Sequence, residues 1–577
     1  MIRKVKRDEI SACAELIRKS FRTVADEFGF TRENAPRFTA FATTEERLAW
    51  HMDGERRLMY LAEEEGRICG YYSLLLRDQG ECELGNLAVL PEYRHRGIGG
   101  ELLQHAMKTA REQNCTVINL SIVEENAVLR KWYERRGAIH TGTENFDFFP
   151  FTCGYMKIML SGMEKVELKQ RLPVYPDYHN CLVNLSNSIL KKFGAETTAE
   201  TLPLADQYLQ KDYQNVVVLL LDAMGISILE KHLDRDGFFR SHLAGSFDSV
   251  YPPTTVAATT SMLSGLYPNE HGWLGWDIYY PQVGKNVTVF TNTEQIKEKE
   301  GAVSTAAYPD GKAKWTEESL EKTLPAAEFN VGFQYTPYKN ILNRIREAGS
   351  EAYAAMPFLP PYPQSLEAIL DRVKTLCGEP GKKFIYAYWN EPDSTMHRTG
   401  TVSSETHAMM TELERMVEKA VSGLSDTLFM ITADHGHMDS RNCCLKDYPE
   451  VMNRLVRQPS IEPRTLNLFV RDECKEAFPE IFRKYFGDSF VLLTRDEVIT
   501  GKLFGIGNDH DGLENMIGDY IALAVSDKSI FNTHLEAQEM PGGHAGLSKE
   551  EISIPLIVIE PSACIMPDDQ RSTDTQQ

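Results

Sequence analysis

Positive charge is in short supply in this 577-residue chain: 62 Lys and Arg stand against 83 Asp and Glu, a net charge of −21. That deficit excludes a general nucleic-acid binder, whose hold on the phosphate backbone needs clustered cations. It leaves room for a small phosphorylated substrate, because bound metal ions supply positive charge locally. No run of about 18 apolar residues occurs, so no membrane-spanning helix is expected. The 11 cysteines include no C-x-x-C pair. An odd number of scattered thiols, behind a start (MIRKVKRDEISACAELI) with no continuous apolar stretch, predicts reduced thiols and a cytoplasmic location. The adjacent Cys443 and Cys444 could chelate a metal.

What is present is globular composition, 42% apolar and 25% charged, in a chain too long for one ordinary domain. Residues 1–160 read as short alternating elements. Strands are predicted at 57–64, 68–76 and 82–90, then a helix over 99–113 with Leu102, Leu103, Ala106, Met107 and Ala110 on one face. A strand (TVINLSIV), a helix (AVLRKWYERR) stopped by Gly137 and a strand pair over 138–160 follow. Residues 161–210 read as linker and lead-in arm, punctuated by Pro173, Pro176 and Pro203. The run VVVLLLDAMG opens a larger unit, 211–565; its unbroken apolar character predicts a strand buried on both faces, as in a parallel sheet. Further buried strands are expected at 384–389, 427–434, 520–526 and 554–560. Stretches at about 275–375 and 441–535 read as insertions, and 566–577 as a disordered tail.

In the first unit, Arg94-His95-Arg96-Gly97-Ile98-Gly99-Gly100 lies between a strand and a helix. Such a turn offers free N–H groups and the positive end of a helix dipole to an anion, and glycines let the backbone approach it closely. The segment LAVLPEYRHRGIGGELL, with Asn126, Trp132-Tyr133-Glu134 and Gly137 downstream, resembles the GNAT acetyltransferase family over roughly residues 1–160. The resemblance implies a mixed α+β acyltransferase fold with acetyl-CoA as cosubstrate. The backbone of Leu87, Ala88 and Val89 would hold the pantetheine arm. Arg94, Arg96, Gly97, Ile98, Gly99 and Gly100 would hold the pyrophosphate, and Asn126 joins the cofactor set. Tyr133 would protonate the departing thiolate, and Glu83 is the candidate base for the amine. A fold of this type acting only as an acetyl-CoA-binding regulatory module stays open beside the catalytic reading.

In the second unit, Asp222, Asp393, His397, Asp434, His435 and His544 each sit at the end of an apolar run or in the loop beside one. In open α/β sheets the carboxyl ends of strands face the ligand crevice, so residues far apart in sequence can converge there. Mixed oxygen and imidazole ligands suit zinc or another first-row divalent ion. The motifs DAMG, YPPTTVAATTSMLSGLYPNEHG, Asp393-x-x-x-His397, TADHG and GGHAGLS before IPLIV resemble the alkaline phosphatase superfamily, most closely its type I phosphodiesterase/nucleotide pyrophosphatase branch. The resemblance implies an α/β sandwich with a mostly parallel central sheet and two divalent ions, zinc or manganese. One ion would bind Asp393, His397 and His544. The other would bind Asp222, Asp434, His435 and the nucleophile Thr255, with Thr254 its nearest competitor. The branch carries an asparagine three residues after its nucleophile; here Ala258 stands there, which puts diester specificity in doubt. A replacement donor could come from the Met224 backbone or from Arg464. The expected substrates are a small-molecule amine and a phosphoester. A phosphomonoesterase or phosphomutase remains the alternative.

Overall fold

The computed structural model describes residues 2–560 except 65, 78–79, 95, 114, 135, 161–167, 305 and 308–312. The predicted tail and the start of the linker therefore lie outside the described residues. Contacts divide the chain into two units, Met1–Val166 and Glu167–Gln577.

The first unit is a seven-stranded sheet flanked by helices. Helix Ile98–Glu112 buries Leu102, Leu103, Ala106 and Ala110, the face its spacing predicts, with Met107 packed at the rim. The sheet is antiparallel except where strand Glu81–Val89 meets strand Val117–Val123. That parallel pairing lasts three residues, Glu81↔Val117, Cys82↔Ile118 and Glu83↔Asn119. Beyond it the strands part, and the rest of Glu81–Val89 has no ladder partner on that side among the described residues. Asn86 adopts φ 52°, where the ladder to strand Arg67–Leu76 slips register. An Asn tolerates this left-handed backbone better than most residues, so the bulge re-aims Leu87–Val89.

The second unit is built on a six-stranded sheet in the order Glu351–Ala355, Lys383–Trp389, Asn215–Leu221, Thr427–Thr432, Ser553–Ile559, Leu243–Asp248. The first four strands are mutually parallel and Ser553–Ile559 alone runs antiparallel to its two neighbours, giving the mostly parallel sheet expected. Asn215–Leu221 is central and fully buried, which is why its sequence shows no alternation. Each buried Val or Leu there contributes roughly 1.5–3 kcal/mol. Helices Leu366–Gly378 and Ser404–Val421 bury their apolar faces in the same core. Helix Leu182–Lys192, from the lead-in arm, is buried too. It is bonded to helix Thr255–Ser264 through Ser186 Oγ donating to Met262 O at 2.8 Å, and Asn187 Nδ2 donates to Gly265 O at 2.9 Å.

Two expectations change. Tyr520–Ala524 is a buried strand, but of a second, antiparallel sheet. That sheet runs Thr293–Glu294, Lys285–Thr288, Asp277–Tyr280, Ser460–Glu462, Thr465–Leu468, Tyr520–Ala524, Phe490–Thr494, so it joins the two stretches read as separate insertions. Glu351–Ala355, inside the first of those stretches, is an edge strand of the main sheet. Its sequence, EAYAA, is short and carries too little apolar bulk to read as buried. No helix among the described residues is long and apolar enough to cross a membrane.

Candidate active site

Three parallel strands of the main sheet end level with one another: Trp389 is in register with Leu221, and Thr432 with Leu220. Asp222 follows the first, Asp434 and His435 follow another, and Asp393 opens the short helix Asp393–Thr399 after the third. His544 arrives on the loop after Gly542–Gly543, and Thr255 is the first residue of helix Thr255–Ser264. These six and His397, on the same short helix as Asp393, gather at one place. Ligand atoms of Asp393, His397 and His544 lie within 4.8 Å of one another, as do those of Asp222, Asp393 and His435. Asp393 thus joins both halves of the cluster. His435 Nε2 is 3.4 Å from Asp222 Oδ1 and 3.5 Å from Asp434 Oδ2. Thr255 Oγ1 is 3.2 Å from His435 Nε2 and 3.4 Å from Asp222 Oδ2.

The histidine rings are oriented from behind. His435 Nδ1 meets Gly436 O at 2.9 Å, His397 Nδ1 meets Gly542 O at 3.2 Å, and His544 Nδ1 meets Pro253 O at 3.2 Å. A carbonyl fixes the proton on Nδ1 and leaves the Nε2 lone pair free for the centre, the arrangement metal-binding imidazoles need. Burial, with other imidazoles nearby, lowers the histidines, His397 to about 4, so they stay neutral. Burial raises Asp222 and Asp393, with repulsion from Asp434 adding to the first and from Asp222 and Asp434 to the second; burial brings Asp434 to about 6. Asp393 Oδ1 and Asp434 Oδ2 are buried without a hydrogen-bond partner. Packed carboxylates with orphaned oxygens, facing unprotonated imidazole nitrogens, are a donor set suited to divalent cations.

The first unit presents a different arrangement. Gly97, at φ 88°, caps helix Ile98–Glu112. The helix's first bonds are Gly100 N to Gly97 O at 2.8 Å and Glu101 N to Gly97 O at 3.1 Å. The N–H groups of Ile98 and Gly99 precede them and have no partner among the described residues, which leaves them available to an anion. Nothing lies within 4 Å of a Cβ built on Gly97, whereas one on Gly99 would meet Trp132 at 3.4 Å. Ala88 and Val89 pair with strand Arg67–Leu76 on one side, and Leu87–Val89 have no ladder partner on the other among the described residues. Arg94 is spent internally: it donates to Ser20 O at 2.8 Å, Thr23 Oγ1 at 3.0 Å and Val89 O at 3.2 Å, so it braces the loop. Arg96 is exposed, with Glu64 3.6 Å away. Asn126 Oδ1 accepts from Leu129 N at 3.0 Å and caps helix Ala127–Glu134. Tyr133 is buried, and desolvation raises its phenol. Glu83 sits at the point where the strands part, paired with Arg77 at 2.6 Å.

The GNAT acetyltransferase family model matches residues 19–138, and the type I phosphodiesterase/nucleotide pyrophosphatase model matches residues 216–501. The chain joins a GNAT domain to a type I phosphodiesterase/nucleotide pyrophosphatase domain. The GNAT domain is similar to an uncharacterised N-acetyltransferase of Mycobacterium tuberculosis, 29% identical over 100 residues, 17% of this chain and 64% of the relative. The phosphodiesterase domain is similar to the mouse ectonucleotide pyrophosphatase/phosphodiesterase family member 1, 24% identical over 200 residues, 34% of this chain and 20% of the relative. The chain therefore spans less than two thirds of either relative. Among solved structures, murine ectonucleotide pyrophosphatase/phosphodiesterase 5 is similar at 14% identity and a TM-score of 0.43, over 59% of this chain and 87% of that one.

Residues the sequence did not single out also belong to the phosphodiesterase centre. His437 is fully buried, its Nε2 is 3.5 Å from Asp393 Oδ1, and neither ring nitrogen has a hydrogen-bond partner. Its place two residues after His435 was the available clue. Tyr388 donates its phenol to Asp222. Glu462 accepts from Thr254 Oγ1 at 2.6 Å, so the competing threonine is turned away from the cluster. Arg464 is corrected as a substrate donor: it is 1% exposed and bonded to Glu551, Lys528 O and Ser526 O. The Met224 N–H closes a turn onto Leu221 O at 3.2 Å.

Proposed function

We propose that the phosphodiesterase domain is a two-metal phosphoester hydrolase using Thr255 as nucleophile, and that the GNAT domain is an acetyl-CoA-dependent N-acetyltransferase. The observation that carries the first half is the cluster of Asp222, Thr255, Asp393, His397, Asp434, His435 and His544, with its imidazole Nε2 atoms turned inward. Asp393, His397 and His544 would hold one divalent cation, zinc or manganese, and Asp222, Asp434, His435 and Thr255 the other. Bound there, the cations would lower a hydroxyl pKa and neutralise charge on the transferring phosphoryl group. Thr255 Oγ1 attacks phosphorus, the ester oxygen departs on the opposite face, and water then cleaves the phospho-threonine.

The N–H groups of Thr255, Val256 and Ala257 precede the first helical bond, Ala258 N to Thr254 O at 2.9 Å. They donate to phosphoryl oxygens and supply what the asparagine amide supplies in the resembled branch. The test is release of nitrophenol from aryl mono- and diesters by the metal-loaded protein. Stoichiometric metal without cleavage of any ester in a broad panel would overturn this half.

His437 faces Asp393 and limits how that carboxylate turns. His437→Ala is expected to weaken binding of the more loosely held cation by about 10–100-fold, read by calorimetric zinc titration. Unchanged affinity would contradict the role.

In the GNAT domain, Ile98 and Gly99 N–H groups take the pyrophosphate, the open strand edge at Leu87–Val89 pairs with the pantetheine amides, and Tyr133 protonates the leaving thiolate. Glu83 accepts the amine proton once Arg77 is displaced. Tyr133→Phe is expected to lower kcat by about 10²-fold at unchanged KM for acetyl-CoA. Equal kcat, or acetyl-CoA binding without turnover on any amine of a panel, would contradict it.

A further inference from the structure

Glu462 is a half-buried acid that the hydrolytic steps above leave unused. It ends strand Ser460–Glu462, and the pairing Asp277↔Ile461 sets Trp276 opposite it, one step along the ladder. The pairing brings the Trp276 backbone against the Glu462 side chain. The Trp276 N–H donates to Glu462 Oε1 at 2.9 Å, and Thr254 Oγ1 donates to the same oxygen at 2.6 Å. Oε2 makes no hydrogen bond among the described residues. No cationic side chain acts on the group; the influences on it are burial, Thr254, Trp276 and Asp277, and burial raises it to about 8.

The acid borders the reaction centre: Thr254, which donates to it, precedes the nucleophile by one residue, and its charge adds a little to the burial that raises Asp393. Next to it the surface is aromatic: Trp276 is 46% exposed, Phe290 is 49% exposed, and their rings meet edge-on at 5.8 Å.

Unpaired, this acid stays protonated at neutral pH, because burial disfavours its charge. A cation brought by the substrate would favour the carboxylate and pair with it. We propose that Glu462, with the rings of Trp276 and Phe290, forms a subsite for a positively charged amine on the phosphoester, so that the preferred substrate class is the aminoalkyl phosphoesters. The proposal rests on the phosphoesterase reading of the neighbouring centre. Exposed indole and phenyl faces attract ammonium groups, and the free Oε2 accepts their N–H. An amine-bearing phosphoester is also a molecule an N-acetyltransferase can modify, and acetylation would erase the charge that Glu462 reads.

The test compares three 4-nitrophenyl phosphodiesters on the zinc-loaded full chain: the 2-aminoethyl ester, its N-acetyl derivative, and the propyl ester, in which a methyl replaces the ammonium. The expected kcat/KM for the aminoethyl ester exceeds that of both others by at least about tenfold. In Glu462→Gln that ratio falls to about threefold or less, and in Trp276→Leu it falls by about threefold. The ratio is the readout because loss of Thr254 support alone would slow all three esters alike. Three wild-type esters cleaved at equal efficiency would overturn the subsite and leave the hydrolase standing. The same holds for a Glu462→Gln ratio equal to wild type. A wild-type protein that binds zinc stoichiometrically and cleaves none of the three would overturn the hydrolase reading and the subsite with it.

Discussion

Thr255→Ala removes at least ~10³-fold of the phosphoester hydrolysis while leaving zinc bound, measured by nitrophenol release beside metal content. The size follows from what is lost. Thr255 Oγ1 is the hydroxyl of the centre, 3.2 Å from His435 Nε2 and 3.4 Å from Asp222 Oδ2. The neighbouring hydroxyl cannot replace it, because Thr254 is 1% exposed and committed to Glu462. The helix that carries Thr255 is held elsewhere, through Met262 and Gly265 bonded to the buried helix Leu182–Lys192, so truncating the first side chain leaves it anchored. Retention of hydrolysis within tenfold of wild type would assign the nucleophile elsewhere.

Stripping the metal lowers the melting temperature of the larger unit by about 10 °C, and readding zinc restores it. A cation at 1,000 times its Kd stabilises by about 4 kcal/mol per site, and the shift of about 2–4 °C per kcal/mol in a domain of 150–250 residues is roughly halved in a unit as long as Glu167–Gln577, so two sites give about 10 °C. The structure supplies the reason for a large effect. Asp222, Asp393 and Asp434 share one centre, and their ion-pair partners among the described residues are histidines. Those imidazoles are held neutral by burial, so without a cation no positive charge faces the aspartates, which keep hydrogen bonds from Tyr388, from Thr255 and from the Ala223 and His435 N–H groups. A protein freed of metal with an unchanged melting temperature would contradict this.

Asp222, Asp434 and His435 were legible in the sequence because each ends a run of apolar residues, and an unbroken run has few placements other than a sheet interior. Gly97 was legible because a strand-to-helix turn with a free N–H edge favours a residue that accepts φ 88°. His437 and Glu462 were not. His437 lies in a loop, where no period says which way a side chain points, and its neighbours come from Asp393, His397 and His544. Glu462 lies on a three-residue strand whose face is set by pairing with a segment about 180 residues earlier. Arg94 and Arg464 show the converse limit. Both read as anion donors by residue type, and both are tied into internal hydrogen bonds that only the folded contacts reveal. The second sheet was illegible for a related reason: its strands come from two distant stretches, and an apolar run such as 520–526 does not tell which sheet it joins.

The account rests on seven side chains converging as ligands for a pair of cations. Elemental analysis of the full-length protein, dialysed to equilibrium at micromolar free zinc, tests this most directly. It predicts two zinc ions per chain, falling when Asp393 is replaced by Asn because that residue joins both halves of the cluster. Zinc at trace level in the wild type, or a count indifferent to Asp393, would contradict it.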